Sequence, residues 1–175
     1  MLNVGRALLL MTVVIGSATA FALPADATRP NAATYSDAVT GIETYATSTE
    51  GRFAGAAAGD LPGVWQAVVI HVPLSGAIPV AITGGSFSIA TVLDGSAVTV
   101  SGSVTGGTVV QVSGLSGCTN QQFQVSGALS SVGVNGQRQR GTGAFGITLT
   151  HYRTSVFGYC LTYSASVVGT VSMTF

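Results

Sequence analysis

From Cys160 to Phe175 the chain alternates between apolar and hydroxylated side chains almost without interruption. Leu161, Tyr163, Ala165, Val167, Val171, Met173 and Phe175 share one parity; Thr162, Ser164, Ser166, Thr170, Ser172 and Thr174 share the other. Side chains of an extended chain change face at every residue, so the pattern predicts one long strand with a dry face and a hydroxyl face. The same texture recurs upstream. Val98, Val100 and Val104 oppose Thr99, Ser101, Ser103 and Thr105, and Phe123, Val125 and Leu129 oppose Gln122, Gln124, Ser126 and Ser130. No helical period competes with it beyond the first residues, so the domain is expected to be all-β.

Strands are expected over 42–48, 52–58, 64–72, 78–82, 86–93, 97–105, 108–115, 122–134, 142–153 and 159–174, punctuated by Asp60-Leu61-Pro62-Gly63, Gly84-Gly85, Asp94-Gly95, Gly106-Gly107 and Asn135-Gly136. Asn-Gly and Gly-Gly between alternating runs signal tight hairpins, because a type I′ turn needs positive φ at both central residues. Short connections make neighbours antiparallel. The expectation is an antiparallel barrel of about eight strands, with a β-sandwich as the alternative.

The first residues read as an address. A basic start, the apolar run Ala7–Ile15 and the small-residue sites Ala18-Thr19-Ala20 and Ala20-Phe21-Ala22 predict a signal peptide over 1–22. Residues 23–41, rich in Ala, Thr, Pro, Asn and Asp without a period, are expected to be loose, and 42–175 to form the single barrel domain. The chain is therefore expected to be secreted, extracellular or periplasmic. After cleavage, about 150 residues are enough for one core. Charged residues make up 7% of the chain and net charge is +0, so no nucleic-acid partner is expected. Nor is membrane association expected once the leader is removed, and self-association is left open. Every acidic residue lies at or before Asp94, while Arg138, Arg140 and Arg153 stand in a stretch without acids. Cys118 and Cys160 are the only cysteines, and in an oxidising compartment they are expected to pair.

Candidate chemistry is sparse. Phe145, Ile147 and Leu149 share a face that reaches His151 and Arg153 by twos. With the apolar face inward, these two would stand at the mouth of the barrel, where Arg153 would hold the polar end of an elongated apolar molecule. The other histidine, His71, is distant in sequence, and neither it nor the cysteines have metal-ligand spacing, so no metal or cofactor is expected. No nucleophile–base constellation, phosphate loop or dinucleotide fingerprint can be read. Asp37, Glu43, Glu50, Asp60 and Asp94 fall in predicted loops, strand ends or the loose segment.

Gly141-Thr142-Gly143-Ala144-Phe145-Gly146 resembles the Gly-Thr-Gly-x-Phe/Tyr stretch of the allene oxide cyclase and dirigent barrels. The run from Gly51-Arg52-Phe53-Ala54-Gly55 through Asp60-Leu61-Pro62-Gly63 is similar in texture to early strands of their secreted bacterial relatives. The resemblance implies an eight-stranded barrel around an apolar cavity. The plant enzymes' catalytic residues find no matching positions, so it implies no activity. Gly63-Val64-Trp65 resembles the Gly-x-Trp of lipocalins, which implies a Trp65 packed by an arginine from a late strand, a role open to Arg153. Three functions follow as expectations. The first is a non-catalytic barrel binding a small apolar ligand or a cell-surface polymer, with His151, Arg153, Trp65 and His71 as binding residues. The second is a cyclase- or isomerase-like enzyme. The third is an outer-membrane barrel with its apolar face in lipid.

Overall fold

The alternation closes on itself. The computed structural model describes residues 32–135 and 137–175, and for residues 131 and 137–140 it describes the backbone alone. The expected leader, 1–22, lies outside the described residues. Eight strands follow in order: β1 (Thr34–Ala46), β2 (Glu50–Gly59), β3 (Gly63–His71), β4 (Val80–Leu93), β5 (Ser96–Ser113), β6 (Gln121–Val134), β7 (Gln137–Val156) and β8 (Tyr159–Thr174). Each pairs antiparallel with the next, and β8 returns to β1 in a register from Thr34↔Thr174 to Gly41↔Val167. The result is the closed antiparallel barrel, not the sandwich.

Closure decides which face is inside. On β8, Val167, Val171 and Met173 are buried while Val168, Thr170 and Ser172 are exposed. They join one continuous interior with Val39, Phe53, Trp65, Ile89, Val125, Leu149 and others from every strand. The row that an outer-membrane barrel would turn to lipid is this protein's core. The hydroxyl rows of β4 to β8 form the outer surface.

Two Gly-Gly pairs expected to be hairpin turns lie inside strands instead. β4 runs through Gly84-Gly85 and β5 through Gly106-Gly107. The pairs sit side by side: Ile82 faces Gly107, and the ladder resumes at Ser86↔Ser103 in unchanged register. Gly85 and Gly107 both have φ of 144°, and a Cβ at either would collide with a carbonyl oxygen, of Val68 or Ser126 respectively. Here glycine bends two adjacent strands together around the barrel wall without ending them. The true turn signals are Asp94-Gly95, with φ of 49° and 76°, and Asn135, with φ of 50°.

The segment expected to be loose through residue 41 enters the sheet at Thr34. Its alternation was masked because the buried position between Tyr35 and Val39 is a carboxylate, Asp37. At this end of the barrel Asp37 Oδ1 accepts the Leu61 N–H at 2.7 Å, while Asp60 Oδ2 accepts the Ser36 N–H at 2.8 Å. The two acids clamp the β2–β3 turn onto β1 reciprocally and drive Leu61, fully buried, into the barrel like a stopper. Tyr35 stacked on Phe175 at 4.8 Å completes the seal.

At the opposite end Cys118, in the β5–β6 loop, is bonded to Cys160 in β8. The bridge spans a sequence separation of 42, for which loop-closure entropy gives roughly 4 kcal/mol of stabilisation. Cys118→Ser should therefore lower the unfolding free energy by up to about 4 kcal/mol in denaturant titration, and reductant should reproduce the loss in wild type only. A second test concerns the faces. Val171→Arg places an unpaired guanidinium in the core and should abolish the cooperative thermal transition seen by circular dichroism, whereas Ser172→Arg should melt like wild type.

Candidate functional site

The β1–β2, β3–β4, β5–β6 and β7–β8 connections gather at the disulfide end, which is the mouth that the sequence placed beyond Leu149. His151 is there. Its Nε2–H donates to Glu43 Oε2 at 2.7 Å, with the two side chains 18% and 9% exposed. The ring also leans on Phe123, centroids 5.1 Å apart. His71, buried on β3, donates from Nδ1 to its neighbour's carbonyl, Val72 O, at 2.7 Å. Gln111 is buried nearby in strand order and donates to Ser113 O and Gly114 O. The mouth is thus lined by polar side chains, each hydrogen-bonded to a partner side chain or to a nearby backbone carbonyl, in contrast to the apolar stopper opposite. A void of about 60 Å³ lies under it, bounded by Glu43, Phe53, His71, Phe123, Leu149 and His151 among others.

The four expected binding residues are only partly brought together. His71 and His151 border the same void. Arg153 does not: beyond Tyr152 the β7–β8 register shifts, and the Arg153 backbone N–H donates to Asn120 Oδ1 at 3.0 Å. Trp65 sits near the start of β3, towards the sealed end, where its Nε1–H donates to Thr40 O at 3.0 Å. It is a core residue satisfied by β1, far along the barrel from Arg153, so the lipocalin-like Trp–Arg packing is not formed. Glu43 is the residue that sequence reasoning missed. It stands on the opposite side of the chain order from His151, and only closure of the barrel makes them neighbours.

A histidine held by a carboxylate is the geometry of a general base. Here the carboxylate and ring sit over a space of about 60 Å³, a fraction of the roughly 300–1,000 Å³ of ordinary small-molecule sites. The barrel interior is tighter still, with about 50 Å³ free among Val39, Phe53, Trp65, Phe87, Leu129 and Val171. Among the described residues no His, Cys, Asp or Glu cluster is arranged to hold a metal ion.

The roomy concavities are outside. A trough of about 480 Å³ runs over β1–β4, lined by Thr44, Arg52, Ala54, Gln66, Ser86 and Ser88. A second, of about 470 Å³, crosses β3–β5 between Pro62 and Thr99. The first is shallow because small residues face outward at Ala54, Ser86 and Ser88, beside Gln66 and Thr44. Its one cation is engaged: Arg52 Nε–H donates to Glu50 Oε1 at 2.6 Å, and the guanidinium lies 5.1 Å from the Tyr45 ring centroid. Its hydrogen bond to the Glu50 carboxylate, with that group's charge, holds the Arg52 pKa above its ordinary value. The trough is therefore neutral overall, with the hydroxyl and amide groups of Thr44, Gln66, Ser86 and Ser88 set beside apolar Ala54, Ala67 and Val68.

Compared with protein-family models, curated proteins and solved structures, the chain has no significant match.

Asp37 is the remaining unusual group. One of its oxygens bonds Leu61, while Oδ2 is buried without a partner. Burial raises its pKa above the ordinary value; the Leu61 hydrogen bond opposes this, and the Asp60 charge adds to it. A carboxyl group whose folded pKa is raised stabilises the fold fully at low pH and loses that contribution as pH rises through the folded value. Asp37→Asn keeps an acceptor for Leu61 and has no charge to lose. Its melting temperature relative to wild type should therefore be more favourable at neutral pH than below the carboxylate range. An unchanged difference across pH would show that Asp37 carries no such cost.

Proposed function

We propose that this protein is an exported, non-catalytic binding module that engages a neutral, hydroxyl-bearing polymer at a cell surface through the outer face of β1–β4. The observation that supports the reading is the distribution of space. The interior is filled by the protein's own side chains, whereas about 480 Å³ of accessible groove lies outside. The groove suits such a chain chemically. Thr44, Gln66, Ser86 and Ser88 offer donors and acceptors, Ala54 leaves a low floor, and the Arg52–Glu50 pair gives no net charge to attract an ionic ligand. An extended polymer can lie along an open trough, whereas an elongated apolar ligand would have to displace core side chains to enter the barrel.

The test is sedimentation of the exported, oxidised protein with insoluble neutral polysaccharides. Wild type should co-sediment with at least one of them. Ala54→Trp, which fills the floor, should abolish retention without moving the melting temperature, and Gln66→Ala should weaken it several-fold. Wild type remaining in the supernatant throughout, or Ala54→Trp binding as well as wild type, would sink the reading.

A further inference from the structure

The β7–β8 hairpin ends in Phe157-Gly158, with φ of 49° and 83°. Two sibling turns with the same left-handed first position use Asp94 and Asn135, residue types that tolerate it. A phenylalanine there works against local backbone preference. It also works against the hydrophobic effect, because Phe157 is 97% exposed. Strain of this kind at an exposed tip points to a contact made outside the chain.

The residues behind the tip are layered by polarity. Val156 and Tyr159, at 74% exposure, pair immediately behind the turn, and Leu161 and Tyr163 follow along β8, both exposed. The first ionisable side chain on the β7 arm is Arg153. At ~3.4 Å per residue, Tyr159, paired with Val156, stands one residue (about 3.4 Å) and Arg153 four residues (about 14 Å) behind Phe157 along the arms. Arg153 has no carboxylate partner among the described residues, and no acid occurs anywhere after Asp94. The two carboxylates of the mouth end, Glu43 and Glu50, are held by His151 and Arg52. The finger is also fixed in advance. Cys160 is bonded to Cys118, and the Arg153 N–H is held by Asn120, both from the β5–β6 loop. An apolar tip, Tyr159 just behind it and an unpaired cation level with Tyr163 further back match the apolar, interfacial and phosphate layers of a bilayer in order.

We propose that the β7–β8 hairpin is a membrane-interface finger, which places Phe157 at the headgroup–acyl boundary of a phospholipid bilayer and Arg153 among anionic headgroups. This departs from the expectation that the exported chain keeps clear of lipid, because the αL tip and its exposure exist only in the folded hairpin. It is independent of the polymer trough, which lies on β1–β4. Its strength rests on one ring, a few flanking apolar groups and one charge, so the association is reversible and peripheral.

The experiment is vesicle flotation of the exported, oxidised protein with phosphatidylcholine vesicles and with mixed phosphatidylglycerol–phosphatidylcholine vesicles. Wild type should float with the mixed vesicles and less with phosphatidylcholine alone. Phe157→Asn installs the Asn-Gly that the turn prefers, so it should melt at or above the wild-type temperature yet partition roughly tenfold less or worse. Arg153→Gln should lose about fivefold on mixed vesicles and little on phosphatidylcholine. The proposal is overturned if wild type floats with neither vesicle, as a finger built for a protein groove would behave. Equal flotation with both vesicle types, or Phe157→Asn floating like wild type, overturns it as well.

Discussion

Pairing of β1 with β8 gives every strand two hydrogen-bonded neighbours, so the sheet has no edge along the described ladder. An eight-stranded barrel encloses a space that side chains alone can fill. Once the sheet closes, alternation leaves each residue only two fates, inward or outward. The inward set is dominated by Val, Ile, Leu and Phe with the single Trp and Met173, and takes in Asp37, His71, Thr91 and Gln111; the outward set is largely Ser, Thr, Gly and Ala. A chain with 7% charged residues can thus present a hydrated surface through hydroxyl groups, while two voids of about 50 and 60 Å³ remain inside.

The barrel's two ends are finished by different physics. At one, Leu61, Met173, Val100 and Val132 are almost completely buried, and Asp37 and Asp60 lock the stopper by accepting backbone N–H groups across the β1–β2–β3 corner. At the other, the Glu43–His151 pair bonded to each other, and His71 and Gln111 bonded to nearby backbone carbonyls, close the interior with polar groups. Polar closure needs each donor matched, which explains why the disulfide and the Asn120 bond to Arg153 anchor the loops there. The sealed end needs only packing and one clamp.

The alternation of β5, β6 and β8 was legible from residue order because their inward positions are almost all apolar or Gly, with Gln111 of β5 the buried exception. β1 was not, since Asp37 occupies an inward position whose cost is offset only by Leu61, a residue on another turn. The Gly-Gly pairs misled because a glycine that bends a strand and a glycine that ends one look alike until the neighbouring strand is known. Cys118 and Cys160 were readable as a pair by arithmetic. His151 borders the void at the mouth end, but its partner is separated from it by 108 residues, and no local pattern reports such a contact. The neutral trough and the Phe157 tip are properties of exposure, which alternation alone does not encode.

Seven of the eight seams join strands that are consecutive in the chain, whereas the eighth joins Thr34 to Thr174 across 140 residues. Ribosomes deliver β1 first and β8 last, so a growing sheet can add hairpin after hairpin while β1 keeps one open edge until synthesis is complete. Closing the ring is the single step that carries a long loop-entropy cost, and it is the natural candidate for the slow event in folding. The Cys118–Cys160 bond lies wholly within the later half of the chain and can form before that step, delivering β8 in place. Until then an unpaired β1 is an invitation to the wrong neighbour, and a chain that met a second copy at that moment would have the means to build a larger ring or a ribbon from the same strands.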